Sequence, residues 1–450
     1  MTWKTYRIEQ IVEDIQSGFA CGDKDVINGY QHLRMNNIHP DGKLDLTLLR
    51  RVPPNLVTPK YRLHKGDMIV CTTNSGKLVG KSALFDIDGD YTFSNHLTRL
   101  RLKQDIVDPA FVQKMIWLKW QLGEIEPLCK HWVNQSTLPK EALLALEFQI
   151  PSLDDQRRIA GKLDRIAAHL DEVKARLATI PTLLKRFRQS ILAAACSGRL
   201  TEDWRASMTC SETSSALVER IVALRCNFLG KRKPIMLPTE EFSFESPDSW
   251  AQCSMDSLTC RITSGSRDWK QFYRNDGGGT FVMAQNVRPM RFDLSSRQGV
   301  EPPLNDRDRE RSQIAREDIL VTIVGANTGD SCRVTQAVDE CYVCQSVALM
   351  RPVLAETSPF IELFLNSSSH GLAQYRTWIY GEGRPHLSFD HLRMTRVLVP
   401  PIEEQHEIVR RVRILFQQAD AIEARYNKAV AFVDKLMPAI LAKAFRGELA

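Results

Sequence analysis

From residue 159 onward, apolar side chains recur at alternating spacings of four and three: Ile159, Leu163, Ile166, Leu170, Val173, Leu177, Ile180, Leu184, Phe187 and Ile191. A sustained 3.5-residue period belongs to a helix that buries a narrow stripe against another helix. The same phase returns near the end of the chain at Ile408, Val412, Leu415, Ala419, Ile422, Tyr426, Ala429, Val433, Leu436 and Ile440. The pattern predicts two long helices with these residues as their core. Their ends carry matching signals. Asp154 and Asp155, like Glu403 and Glu404, put negative charge where the helix dipole favours it. Ser152 and Asp155 approximate a capping box. Gly198 and Gly447 stand where a left-handed cap ends a helix. Pro181 and Pro438 fall inside the stripes and predict a bend in each helix.

The stripes belong to a longer repeat. Phe148–Ile159 matches Val397–Ile408, with Pro151 over Pro400, Gln156 over Gln405 and Ile159 over Ile408, each 249 positions apart. The register holds without a gap to Ile191–Leu200 over Ile440–Leu449. Fainter echoes precede each helix: Asp67–Cys71 with Asp318–Thr322, Phe93–Thr98 with Val343–Ala348, and Asn134–Leu138 with Gly383–Leu387. An internal repeat of this kind sets the whole organisation. It reads as a globular domain over 1–150, a spacer helix over 151–200, and a Ser/Thr/Cys-rich connector over 201–245 with a short helix near 215–225. A second globular domain over 246–399 and a C-terminal spacer helix over 400–450 complete the chain.

Composition narrows the class without naming it. Of the 450 residues, 43% are apolar and 25% charged, as in a globular protein of several folding units. The net charge of +6 permits a polyanionic partner and does not require one. No apolar run reaches the roughly 18 residues of a membrane span, and the Met1–Thr5 start lacks a signal-peptide core, so a cytoplasmic location is expected. Eleven cysteines without framework spacing read as reduced thiols.

The paired Pro-x-x-x-x-Gln starts (Pro151 to Gln156, Pro400 to Gln405) and the endings Ser190–Thr201 and Ala439–Leu449 resemble those of specificity subunits of type I restriction-modification enzymes. The resemblance covers essentially the full length; Cys196 standing where Phe445 stands in the other copy is a small departure. It implies a mixed α/β (α+β) architecture: two globular target-recognition domains separated by two long antiparallel coiled-coil helices, related by a pseudo-twofold axis. It also implies that each domain reads one half of an asymmetric, bipartite site in double-stranded DNA. The helices would set the spacing and dock two methyltransferase subunits, through which restriction subunits join. The seam would be Ile159, Leu163, Ile166, Leu170, Val173, Leu177 and Leu184 against Ile408, Val412, Leu415, Ile422, Val433 and Leu436. No cofactor is expected on this chain: S-adenosylmethionine would sit on the methyltransferase, and ATP and Mg on the restriction subunit.

Loops mixing basic, amide and aromatic residues are the DNA-contact candidates, because arginine pairs with guanine, Asn or Gln with adenine, and lysine mostly with phosphate. In the first domain these are Lys77, Lys81, Lys130, His131, Asn134 and Gln135. In the second they are Arg267, Lys270, Arg274, Arg288, Arg291 and Arg384. Gly76–Ser82 imitates a phosphate-binding P-loop but has three residues between its glycines where four are needed, and Ser75 replaces the first glycine. It reads as a surface turn, or as a loop reaching DNA phosphate through Lys77 or Lys81. Cys341 and Cys344, with Cys332 nearby, lack a second pair at zinc-ligand spacing and read as buried thiols. No Asn/Asp-Pro-Pro-aromatic methylation motif, S-adenosylmethionine turn or nuclease cluster is recognisable, so the expected role is not enzymatic. Two rivals stay open on residues alone: a self-contained nuclease or methyltransferase with unfamiliar motifs, and a coiled-coil protein with no DNA role.

Overall fold

The computed structural model describes residues 3–448 except 23–24, 134, 231, 236, 238–242, 276–277, 337 and 339. The chain divides into two compact units, the first discontinuous in sequence (Met1–Thr179 with Tyr426–Ala450) and the second a single segment (Ile180–Arg425). Each unit therefore draws on both long helices.

In the first unit a four-stranded antiparallel sheet runs in the order Val12–Ser17, Leu97–Leu102, Asp67–Cys71, Ser82–Phe85. Asp67–Cys71 is buried along its whole length, as expected for a central strand of Met, Ile and Val covered on both faces. A second sheet orders Arg50–Val52, Tyr30–Leu33 and Tyr91–Phe93, the last two parallel. Helix Pro109–Gln121 begins at Asp108, whose carboxylate accepts from the Phe111 amide at 3.0 Å, and it buries Phe111, Val112, Met115 and Ile116. This is a capped start with proline at a position that needs no amide donor.

The second unit repeats the plan. Its four-stranded sheet runs Thr259–Ser264, Val347–Pro352, Ile319–Thr322, Ser331–Arg333, and Gly279–Val282 lies parallel to Cys341–Val343 in a second sheet. The repeat reaches buried polar groups. Asp67 takes two bonds from Arg101 at 2.8 and 2.9 Å, and Asp318 takes two from Arg351 at 2.8 and 2.7 Å. Asn37 bonds the backbone of Arg34, Asp45 and Leu48, and Asn286 that of Met283, Asp293 and Ser296. Both carboxylates are about 1% exposed. Removing one partner of such a pair costs about 3–5 kcal/mol, because a charge is left buried alone. The connector contributes more than a link. Helix Ser214–Leu229, started by Thr213, buries Leu217 and Ile221 in the second core, and its Arg225 pairs with Asp256 at 2.8 Å.

The long helices span Leu153–Cys196 and Ile402–Phe445, each uninterrupted at its proline. Ser152 Oγ accepts from the Asp155 amide at 3.3 Å and donates to its carboxylate at 2.8 Å. Gly198 and Gly447 close the helices at φ of +77° and +78°. Pairing is antiparallel in each unit. In the first, Ile159 and Leu163 share a core with Leu441 and Ala444, while Lys174 meets Asp434 at 3.2 Å. In the second, Ile191 and Cys196 share a core with Ile408 and Val412, while Arg188 meets Asp420 and Glu423 at 2.7 Å.

The stripe is not uniform core. Ile159, Leu163, Leu184, Ile408, Val412 and Val433 are buried, and Ile166, Leu170, Leu177, Leu415 and Leu436 half-buried. Val173, Phe187 and Ile422 are 41%, 41% and 46% exposed, which corrects their expected place in the core. Two helices alone cover only a narrow seam; Ile159, Leu163, Ile408 and Val412 also join the globular cores, whereas Leu184, Ala419 and Val433 are buried outside them. No described helix is long and apolar enough to cross a membrane.

Candidate nucleic-acid interface

In the first unit the central strand Asp67–Cys71 runs on into Thr73–Asn74 and a one-turn 3-10 segment, Gly76–Leu78. Ser136–Thr137 pairs with Thr73–Asn74 on one side and with Lys130–His131 on the other. The Trp132 amide closes the hairpin on the Gln135 carbonyl at 2.8 Å. Lys77 is thus brought beside the Lys130–Gln135 hairpin, some fifty residues away in the chain. Lys77, Lys130, His131 and Gln135 are all exposed, and neither lysine has an ion-pair partner among the described residues. The His131 ring is oriented by Ser136 Oγ at 2.9 Å. Trp132 stands 67% exposed at the tip. Asn134 lies outside the described residues.

The second unit builds the same apposition with other side chains. The strand Ile319–Thr322 runs on to Gly325, whose amide bonds the Pro385 carbonyl at 3.0 Å, and the Leu387 amide bonds Ile323 at 2.9 Å. Tyr380 and His386 exchange backbone bonds of 3.2 and 2.8 Å and stack their rings at 5.8 Å. Arg384 is exposed at the turn and Tyr380 is 54% exposed. Arg267 and Lys270 are exposed in the segment after Ser264, at the same end of the sheet: the Gly265 amide bonds Cys344 and the Ile323 amide bonds Ser346. Arg274 is tied to Glu301 at 3.1 Å and Arg291 to Asp293 at 3.0 Å, while Arg288 is half-buried. Exposed pairs of this kind are worth about 0–1 kcal/mol and exchange readily for phosphate.

Lys81 does not belong with these residues. Its side chain is buried, and its ammonium donates to the carbonyls of Met35 at 3.2 Å and Ile38 at 2.6 Å. Burial lowers its pKa from the usual lysine value. The expectation that it reaches phosphate is therefore withdrawn: it closes the Met35–Ile38 loop against the sheet. The neighbouring Gly80 sits at φ +95° with Ile125 where a side chain would go, so this glycine serves the turn. Cys332, Cys341 and Cys344 are buried in one apolar cluster. Sequence reasoning missed Tyr380 and His386; an exposed aromatic beside Gly-Glu-Gly-Arg was the available signal. Exposed rings matter because their faces stack on bases irrespective of sequence, while neighbouring cations hold phosphates.

The model for the type I restriction modification DNA specificity domain matches residues 56–182 and 308–431, once in each half and together more than half of the chain. The StySPI specificity subunit of Salmonella potsdam is 28% identical over 99% of this chain and 86% of its own length. The EcoKI specificity subunit of Escherichia coli K12 is 28% identical over 93% and 82%. Among solved structures, a chain from work on complex assembly and conformational transition of the type I R-M system covers 99% of this chain and 98% of its own at TM-score 0.69. The HsdS subunit of Thermoanaerobacter tengcongensis covers 99% and 97% at TM-score 0.58; each of these two structures is 17% identical to this chain. Two unlike loop-and-hairpin faces on one repeated scaffold, with a family match in each half, make this chain a member of the type I restriction-modification DNA-specificity family.

Proposed function

We propose that this chain is the non-catalytic specificity subunit of a type I restriction-modification enzyme, acting in the cytoplasm. One recognition domain (1–150) reads one half of a bipartite duplex site and the other (246–399) reads the second half. The observation that carries the reading is the loop-and-hairpin face built twice on the same sheet order from different side chains. The shared four-stranded sheet order offers a comparable loop-and-hairpin face in each unit, and unlike residues make the half-sites differ. Lys77, Lys130, His131 and Gln135, with Trp132, serve the first half-site; Arg384, Arg267 and Lys270, with Tyr380, serve the second. Arg274, Arg288 and Arg291 supply phosphate contacts. The helices act as the spacer, since 44 residues each at 1.5 Å per residue give roughly 65 Å of rod. DNA half-sites repeat at about 34–36 Å or multiples, so a stiff spacer fixes the gap. Two methyltransferase subunits dock on the exposed helix faces and the matching helix ends, carrying S-adenosylmethionine; restriction subunits bring ATP and Mg.

The test is reconstitution with the partner methyltransferase and S-adenosylmethionine, read by sequencing modified adenines. One split sequence should be methylated, and exchanging residues 1–150 for another such domain should change one half of it only. Methylation indifferent to that exchange refutes the reading.

A further inference from the structure

In the second unit a groove runs along the edge strand Thr259–Ser264, lined from Thr259 to Thr263. It consists of two cavities of about 550 and 440 Å³ that share Arg261, Glu310 and Arg351. Arg232, Arg261, Arg307, Arg311, Arg351 and Arg393 line the larger, against two carboxylates, Asp256 and Glu310, and no lysine. Several of these charges are already spoken for: Asp318 holds Arg351 at 2.7 Å, Asp308 holds Arg311 at 2.8 Å, and Asp390 holds Arg393 at 3.0 Å. Asp256 is taken by Arg225. Arg232, Arg261 and Arg307 have no ion-pair partner among the described residues.

The fold does not ask for this charge. Arg261 is the cross-strand partner of Arg351, a like-charge pair that costs stability. At the equivalent place in the first unit the partner of Arg101 is Asp14, so the same sheet is built with an acid there. A local arrangement that works against the fold marks a site that something else uses. Arginine's planar fork suits carboxylate or phosphate. The walls also carry Phe228, 64% exposed, and Ile262, which suit apolar side chains and not a sugar-phosphate backbone. Thr263 in the groove wall adjoins the Ser264 end of the strand, whereas Arg261 is set back from that end by three residues, about 10 Å at 3.3 Å per residue, so the arginines stand behind the reading loops on the same strand.

We propose that the groove docks an acidic, partly apolar peptide segment of the methyltransferase subunit; this rests on the function proposed above. The experiment compares the full chain with an Arg261→Glu/Arg307→Glu double variant. Association with the methyltransferase subunit is followed by light scattering after gel filtration, and binding of a duplex carrying the bipartite site by fluorescence anisotropy. The variant should bind one of the two methyltransferase subunits at least tenfold more weakly, stopping at a one-to-one complex where the wild type takes two, while duplex affinity of the chain alone stays within twofold. Wild-type association should weaken with salt more steeply than that of the variant. Equal association of wild type and variant overturns the groove assignment and leaves the function standing. Parallel loss of duplex affinity assigns the groove to phosphates and also overturns it. A wild-type chain that never associates removes both readings. If the double variant melts lower than the wild type, Arg261→Gln/Arg307→Gln replaces it under the same criteria.

Discussion

Leu163 and Val173 both stand on the heptad stripe, yet the structure predicts very different costs for truncating them. Leu163 is 1% exposed in a core shared with Phe111, Leu441 and Ala444, whereas Val173 is 41% exposed. Leu163→Ala removes three buried carbons, about 2.4 kcal/mol at about 0.8 kcal/mol each. The cavity left in a packed core brings such changes to about 2.7–5 kcal/mol. Val173→Ala removes two carbons, worth about 1.6 kcal/mol if fully buried and about 1 kcal/mol at this exposure. Alanine's better helix propensity returns up to ~0.6 kcal/mol of that. The expected gap between the variants is therefore at least about 2 kcal/mol. Because the chain has two compact units, a single global transition is the wrong observable. The assay is urea unfolding read by hydrogen exchange of first-unit peptides, which reports that unit alone. Equal destabilisation by the two variants would mean that Val173 is covered as fully as Leu163, and the account of an unevenly covered seam would fall.

Lys81 and Lys77 are separable in the same way. Lys81→Met strands two buried carbonyls and should cost about 1–3 kcal/mol without changing the salt dependence of DNA binding, whereas Lys77→Ala should leave stability alone and reduce the slope of log K against log salt by about 1; the reverse pattern would reinstate Lys81 as a contact. His32 is buried edge-on to Phe19 at 5.2 Å with neither ring nitrogen bonded among the described residues, and burial, helped by Arg34, pulls its pKa down to about 4. Its folded value lies below the unfolded 6.5, so the contribution of the neutral ring to first-unit stability is full above pH 6.5 and is lost as pH falls toward 4. His32→Leu should flatten the first-unit urea midpoint over that window, and an unchanged pH profile would show that His32 does not drive it.

Much of this protein is legible in one dimension because its largest elements are periodic and repeated. A 3.5-residue stripe, capped by Ser152 with Asp155 and closed by Gly198, specifies a long helix through local geometry alone, and the 249-residue offset states that the plan occurs twice. Even the faint echo of Asp67 with Asp318 marks a shared buried ion pair. Linear order misleads where partners come from far away. The chain reads as domain, helix, domain, helix, but each compact unit takes part of both long helices, which lie 249 residues apart in the sequence. Whether a stripe residue is buried depends on what lies over the helix pair, which is why Val173 and Leu163 look alike in sequence and differ in space. Lys77 and Lys81, four residues apart, take opposite fates because only one points at a loop from residues 35–38 that needs a donor. Periodicity and repetition are properties of neighbouring residues and survive in the string; burial, charge partnership and the joining of Lys77 to the Lys130 hairpin are properties of distant ones, and arise only when the chain closes on itself.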